Sequence, residues 1–372
     1  MMNKRLKSQL IILLLIVLLV ALAGCKKTDT TEQSNRTASL DGGNTVTDKA
    51  PENSGSEAPQ NTADQNNEAA TSPDKSKEMD EFYQAWNQEQ MKLDDNNFVN
   101  YYSLIREGSD TLLIYLEGSG CQSVMGVKDG GKWIRGGNPY SFAKKHFPDY
   151  DFLTLDNVNV KMGGDHFDDS TVINNYTFDN RVNSSVSVID TFLSNSNKKY
   201  KEIILFGISQ GGHILPRVYS QLKNKDTITR LIALGSGGLS QYEEFMILKD
   251  SELPMEPGYK EGYAAIEEAY PDILQNPNSV ERQYFGYPYK MWYGFMKYHP
   301  MEDYININIP ILLLHGAEDT NSPVEAARAV ESEFQKVGKT NLKYIEYATM
   351  GHGPESKEQS DQLFNDIKSW LQ

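Results

Sequence analysis

One stretch constrains the fold more than any other: Glu202-Ile203-Ile204-Leu205-Phe206-Gly207-Ile208-Ser209-Gln210-Gly211-Gly212-His213-Ile214-Leu215. The apolar run Ile203 to Phe206 lacks alternation, as a strand buried on both faces does, and such strands belong to parallel sheets covered by helices. Ile214, Leu215, Val218 and Leu222 then recur at helical spacing. Between strand and helix, Gly207-x-Ser209-x-Gly211 permits a sharp reversal, because side chains two positions from the serine would collide with the turn. Ser209 is therefore expected to project its hydroxyl above the sheet, at a helix amino end where the dipole favours developing negative charge. Pro216 falls past the first turn of that helix, where it should remove a hydrogen bond and kink the axis.

A serine hydroxyl is a poor nucleophile near neutral pH and needs a base in reach, usually histidine oriented by a carboxylate. The six histidines are His146, His166, His213, His299, His315 and His352. His352 follows the strand-like run Leu342 to Tyr347 and is flanked by Gly351 and Gly353, which puts it on a loop past a strand end. His315 ends the apolar run Ile311 to Leu314, and His213 lies on the helix after the serine; packing roles are expected for both. Asp319 is the carboxylate candidate, in a loop entered from that buried strand and closed by the helix-opening Pro323, with Glu318 as its competitor.

The order Ser209, Asp319, His352 and the strand-loop placement of all three resemble the α/β-hydrolase superfamily, over roughly Leu112 to the carboxyl terminus. The resemblance implies a mostly parallel central sheet with helices on both faces and a helical cap insertion. It also implies an early strand, here Thr111 to Leu116, leading into the turn Glu117-Gly118-Ser119-Gly120-Cys121. Ser119 and Gln210 would donate the two oxyanion N–H groups, with Gly120 as the alternative to Ser119. Glu117 departs from the histidine that many relatives carry before the glycine, and it must point away or be paired. Cys121 is read as a small buried residue. Between the strands Leu231–Leu234 and Ile309–Leu314 the insertion of about 237–308 is dense in aromatics, among them Tyr263, Phe285, Tyr287 and Trp292. These rings either line an acyl, aryl or sugar pocket or pack the cap onto the domain.

Composition sets the boundaries. From about Lys26 to Lys77 the chain is polar, without one aromatic residue, and cannot bury enough apolar surface to offset its ordering entropy. This predicts a disordered tether over 25–78, reaching roughly 40 Å as a random coil, and a hydrolase domain over 79–372. At the amino terminus Lys4, Arg5 and Lys7 precede the apolar run Leu10–Ala23, which is short for the ~20 residues of a spanning helix. The run ends Leu22-Ala23-Gly24-Cys25, which resembles a bacterial lipobox and implies a signal peptide over 1–24 and diacylglyceryl attachment at Cys25. The expected location is extracytoplasmic, on a bacterial membrane.

A net charge of −15 without a basic patch excludes nucleic acid as a partner. The loop Gly163-Gly164-Asp165-His166-Phe167-Asp168-Asp169 is accompanied by neither a zinc-type His-Glu-x-x-His nor an EF-hand spacing, so no metal is expected. The chemistry requires no cofactor. The sequence thus predicts a serine hydrolase acting on a small or medium carboxylic ester through an acyl-enzyme. Peptidase or thioesterase activity with the same residues, or a binding lipoprotein of the same fold without turnover, are the alternatives.

Overall fold

The computed structural model describes residues 73–255 and 258–372. Apart from Gly258 and Tyr259 they fall in a single compact unit. The expected signal segment 1–24, Cys25 and most of the tether 25–78 lie outside the described residues. The first helix, α1 (Pro73–Gln84), begins ahead of Met79, so the boundary read from composition is displaced. Ser76 and Met79 show why: both are buried, and Ser76 Oγ accepts from the Trp133 backbone N–H at 2.9 Å. A polar segment docks here through hydrogen bonds and ion pairs, among them Trp133 Nε1 to Asp80 at 2.8 Å and Lys128 to Asp80 at 3.0 Å, together with apolar contacts.

Eight strands make the central sheet: β1 (Asn87–Lys92), β2 (Phe98–Leu104), β3 (Thr111–Leu116), β4 (Asp151–Leu155), β5 (Glu202–Ile208), β6 (Arg230–Leu234), β7 (Ile311–Gly316) and β8 (Leu342–Tyr347). Their spatial order is β1-β2-β4-β3-β5-β6-β7-β8. β1 and β2 pair antiparallel, as do β2 and β4, and every other pairing is parallel. The mostly parallel sheet expected from the sequence is present. The parallel register aligns Leu116 with Gly207, Ile208 with Leu234, and Gly316 with Tyr347. The loops that follow β3, β5, β6, β7 and β8 therefore leave one edge of the sheet together, where α/β proteins gather their sites.

β5 alternates its side chains between two buried faces, as a central parallel strand must. Ile204, Phe206 and Ile208 join Met79, Phe142, Phe364 and Ile367 in one cluster, beneath α1 and the carboxyl-terminal helix. Full burial of each such side chain contributes about 1.5–3 kcal/mol. The opposite face packs on the helix Gln210–Gln221 and its neighbour Phe178–Asn195. The former runs unbroken through Pro216, so the interruption expected there is absorbed within the helix.

Residues 237–308 form helices Gln241–Asp250, Tyr259–Ala264, Ile266–Gln275, Tyr289–Lys297 and Met301–Tyr304, with a short hairpin pairing Gln283–Tyr284 with Tyr287–Pro288. No helix among the described residues is long and apolar enough to cross a membrane.

Candidate active site

Ser209 has φ 53° and ψ −124°, a left-handed conformation that costs a side-chain-bearing residue about 1–3 kcal/mol. Its backbone N–H holds the turn by donating to the Leu234 carbonyl of β6 at 2.8 Å, and its carbonyl accepts the first helical bond from His213 at 2.9 Å. The glycines on either side are sterically required. A Cβ at Gly207 would lie 2.5 Å from the Gly211 carbonyl oxygen, and one at Gly211 would lie 2.2 Å from the Leu116 carbonyl oxygen. The second contact matters most, because it presses the amino end of this helix against the end of β3.

Asp319 and His352 arrive from the loops after β7 and β8. His352 Nδ1 lies 2.7 Å from Asp319 Oδ2. The carboxylate accepts, so Nδ1 carries the proton and Nε2 is left as the basic nitrogen. Nε2 is buried and has no hydrogen-bond partner among the described residues, and His352 lines the same cavity as Ser209. Asp319 is fully buried, whereas its sequence competitor Glu318 is exposed. Asp319 Oδ1 accepts from the backbone N–H groups of Asn321 and Ser322 at 2.8 and 3.0 Å, which locks the loop. Burial works against its charge, but His352 and His315 together hold the carboxyl well below the usual carboxylate range.

His315 is a second imidazole on the same carboxylate, 3.3 Å from Oδ2 through Nε2. That nitrogen also meets the Ser322 carbonyl at 2.9 Å, and Nδ1 meets the Ser236 carbonyl at 3.3 Å. The partners of both ring nitrogens are acceptors, an arrangement that favours the protonated ring. Burial opposes that charge, and the bond to Asp319 overrides it and raises the pKa. Behind it, Ser322 Oγ donates to Glu244 at 3.2 Å. Burial pushes the Glu244 carboxyl up to about 8. Sequence reasoning assigned His315 to packing and passed over Glu244; neither carries a motif that would have found it.

Ser119 and Gln210 line the cavity beside Ser209. Gly120, the alternative donor, gives its N–H to the Tyr176 hydroxyl at 3.0 Å. The Ser119 and Gln210 N–H groups have no protein acceptor among the described residues. Glu117 turns its carboxyl away from Ser209, accepting from Tyr115 Oη and the Gly118 N–H at 2.9 Å each and from Asn138 Nδ2 at 3.2 Å. Burial raises its pKa, against the pull of these hydrogen bonds and of the Arg181 charge. Cys121 is fully buried, and burial pushes its thiol up to about 12.

The cap aromatics divide between the two roles left open by the sequence. Tyr263, Phe285, Tyr287 and Trp292 line the cavity of about 80 Å³ that holds Ser209 and His352. Phe295 and Tyr298 instead pack on Phe178, with ring centroids 5.5 and 4.6 Å away. A second, more polar cavity of about 110 Å³ adjoins the first, sharing Ser119 and Tyr287 with it. The remaining histidines lie apart from Asp319. Burial pushes His213 down to about 3, among Phe295 and Tyr298. His146 stacks on Phe364, and His299 faces Glu243 at 3.1 Å. In the loop 163–169, His166 Nε2 accepts from the Lys161 N–H at 3.2 Å, so the loop closes on its own backbone.

Residues 274–372 match the model of the prolyl oligopeptidase family; this span contains Asp319 and His352. No curated protein matches the chain. Among solved structures, the Pyrococcus horikoshii acylaminoacyl peptidase in its orthorhombic crystal form superposes with a TM-score of 0.52 at 14% identity, covering 77% of this chain and 40% of that one. A lipase in its open form gives a TM-score of 0.52 at 9% identity, covering 77% and 98%. This chain thus spans 40% of the length of the peptidase it resembles. With the strand order and the parallel register, these likenesses establish the α/β-hydrolase fold.

Proposed function

We propose that the protein is a serine hydrolase that cleaves a carboxylic ester through an acyl-enzyme, with Ser209 as nucleophile, His352 as base and Asp319 as its orienting carboxylate. One observation carries this reading: His352 is fixed through Nδ1 by Asp319 at 2.7 Å while its unpartnered Nε2 lines the cavity of a left-handed Ser209. Nε2 takes the hydroxyl proton as Oγ bonds the carbonyl carbon, and the electron pair of the C=O bond moves to oxygen. The N–H groups of Ser119 and Gln210 receive that oxyanion. Collapse expels the alkoxide, which takes the proton from His352. Water then gives a proton to Nε2 as it attacks the acyl carbon; the second tetrahedral intermediate collapses by breaking its bond to Ser209 Oγ, which takes the proton back from Nε2 as the acid leaves. An ester gives up its alkoxide more readily than an amide gives up its amine, so an ester asks less of this arrangement than an amide does.

Labelling with a fluorophosphonate probe tests the reading: wild type is modified at Ser209, and Ser209→Ala is not. An inert wild type sinks the enzyme reading and leaves a binding protein of this fold. The match of residues 274–372 to the prolyl oligopeptidase family favours one second reading, cleavage of peptide or acylated amino-acid amides. Turnover of a panel of esters, thioesters and N-acyl amino-acid amides separates the two.

We also propose that the domain is tethered outside the cytoplasm through lipidated Cys25, on the strength of Leu22-Ala23-Gly24-Cys25 after an apolar run. A metabolically incorporated fatty-acid analogue should label wild type and spare Cys25→Ser.

A further inference from the structure

The two N–H groups beside Ser209 sit on peptides that regular structure does not fix. Ser119 lies in the loop after β3, and Gln210 is the first residue of a helix. One side chain from the neighbouring helix Phe178–Asn195 reaches both. Arg181 donates through Nη2 to the Glu117 carbonyl and through Nη1 to Gln210 Oε1 at 3.0 Å. The Tyr176 hydroxyl donates to the same Oε1 and accepts the Gly120 N–H at 3.0 Å. The loop 117–120 is thereby held at both ends, its first carbonyl by Arg181 and its last N–H by Tyr176, with the Ser119 N–H left free between them.

The charge of Arg181 is as notable as its reach. Arg181 is 6% exposed, and its hydrogen bonds go to neutral groups; the Glu117 carboxyl acts on it electrostatically, without a hydrogen bond between them. A buried cation held by neutral acceptors gains from a further negative charge placed beside it. The Glu117 carboxyl, the acid of the same loop, is taken up by Tyr115, Asn138 and the Gly118 N–H.

We propose that Arg181 is the positioning residue of the oxyanion site: it sets the Ser119 and Gln210 N–H groups as a pair and supplies the positive charge that the tetrahedral oxyanion on Ser209 meets. The proposal rests on the serine hydrolase reading and adds a residue to it. Two contributions are separable. The guanidinium fork meets its two acceptors from separate nitrogens in one rigid plane, a geometry that the single nitrogen of an ammonium does not reproduce, and the charge persists in lysine but not in methionine.

The test compares wild type with Arg181→Met, Arg181→Lys and Tyr176→Phe by three readouts: the second-order rate of fluorophosphonate labelling, the affinity for phenylboronic acid, which forms an anionic tetrahedral adduct with a serine, and the melting temperature. Removing one oxyanion donor slows such enzymes by about 100- to 1,000-fold. Displacing a donor should cost less. Arg181→Met is therefore expected to slow labelling and weaken boronate binding together by about ten- to a hundredfold. Arg181→Lys should recover part of both, and Tyr176→Phe should lose less than Arg181→Met. Labelling and boronate affinity within twofold of wild type in Arg181→Met overturns the proposal, as does an Arg181→Lys no better than Arg181→Met at equal melting temperature. Should Arg181→Met fail to fold, Arg181→Lys and Tyr176→Phe decide: weakened boronate binding in both supports the role, and wild-type affinity in both removes it. A wild type inert to the fluorophosphonate overturns the hydrolase reading instead, and the role of Arg181 falls with it.

Discussion

Two corners meet at Ser209, and they are built from different materials. The corner of Asp319, His352, His315 and Glu244 is built from ionisable side chains: two imidazoles share the Asp319 carboxyl, and Glu244 joins them through the Ser322 hydroxyl. The corner of Glu117 to Gly120 offers backbone N–H groups, and its side chains act from behind through Arg181 and Tyr176. In the first, residue identity is the proposed chemistry; in the second, residue identity matters for where it places a peptide and for the charge it sets behind it. Substitution should therefore hurt the two corners in different ways.

The largest effect is expected where side-chain identity is everything. Asp319→Asn keeps the shape but reverses the tautomer of His352, and kcat should fall about a thousandfold or more; because it also takes the carboxylate from buried His315, the melting temperature should fall with it. A loss of kcat under tenfold would break the contrast. His315→Asn sharpens it, since it removes the second ring from Asp319 and leaves His352 in place. Urea unfolding should show about 3 kcal/mol of lost stability, while kcat falls far less than in Asp319→Asn. Smaller still is a change at the cavity wall: Phe285→Leu should raise KM about three- to tenfold at nearly constant kcat, because it trims a binding surface shared by ground and transition states.

The smallest effect separates the corners by pH. Glu244 is buried with its pKa pushed up from an ordinary 4.5 to about 8, so folding favours its neutral form. Its contribution to stability is fully present below pH 4.5 and is lost as pH rises through about 8. Glu244→Gln should flatten that decline, measured as melting temperature across the range. Asp156, pushed up to about 7 by burial near the other corner, should leave a residual slope of the same sign. A decline unchanged in Glu244→Gln would mean that this carboxyl does not titrate there.

The same contrast explains what the sequence disclosed. Ser209, Asp319 and His352 were legible because few residue types do their proposed work and because β5, β7 and β8 carry apolar runs into them. Three strands were not legible. β1 reads Asn87-Gln-Glu-Gln-Met-Lys and is exposed at all but one position, so no apolar period marks it. β2 was passed over although it is mostly buried, because Asn100 and Ser103 interrupt its apolar residues. β4 is buried throughout but opens with Asp151, whose charge is met by Lys198 Nζ at 2.7 Å and Tyr200 Oη at 2.9 Å, partners far along the chain. Arg181 and Tyr176 escaped for a related reason. They act by touching a carbonyl, an amide N–H and a glutamine, and no spacing in a sequence announces such contacts. The start of α1 was hidden because Ser76 looks like the polar chain before it until Trp133 is brought alongside.

The left-handed backbone at Ser209 has a consequence for heat resistance. Glycine would occupy that conformation without strain, so Ser209→Gly should melt at a higher temperature than wild type while losing the proposed nucleophile. Robustness and the proposed activity therefore pull in opposite directions at a single residue.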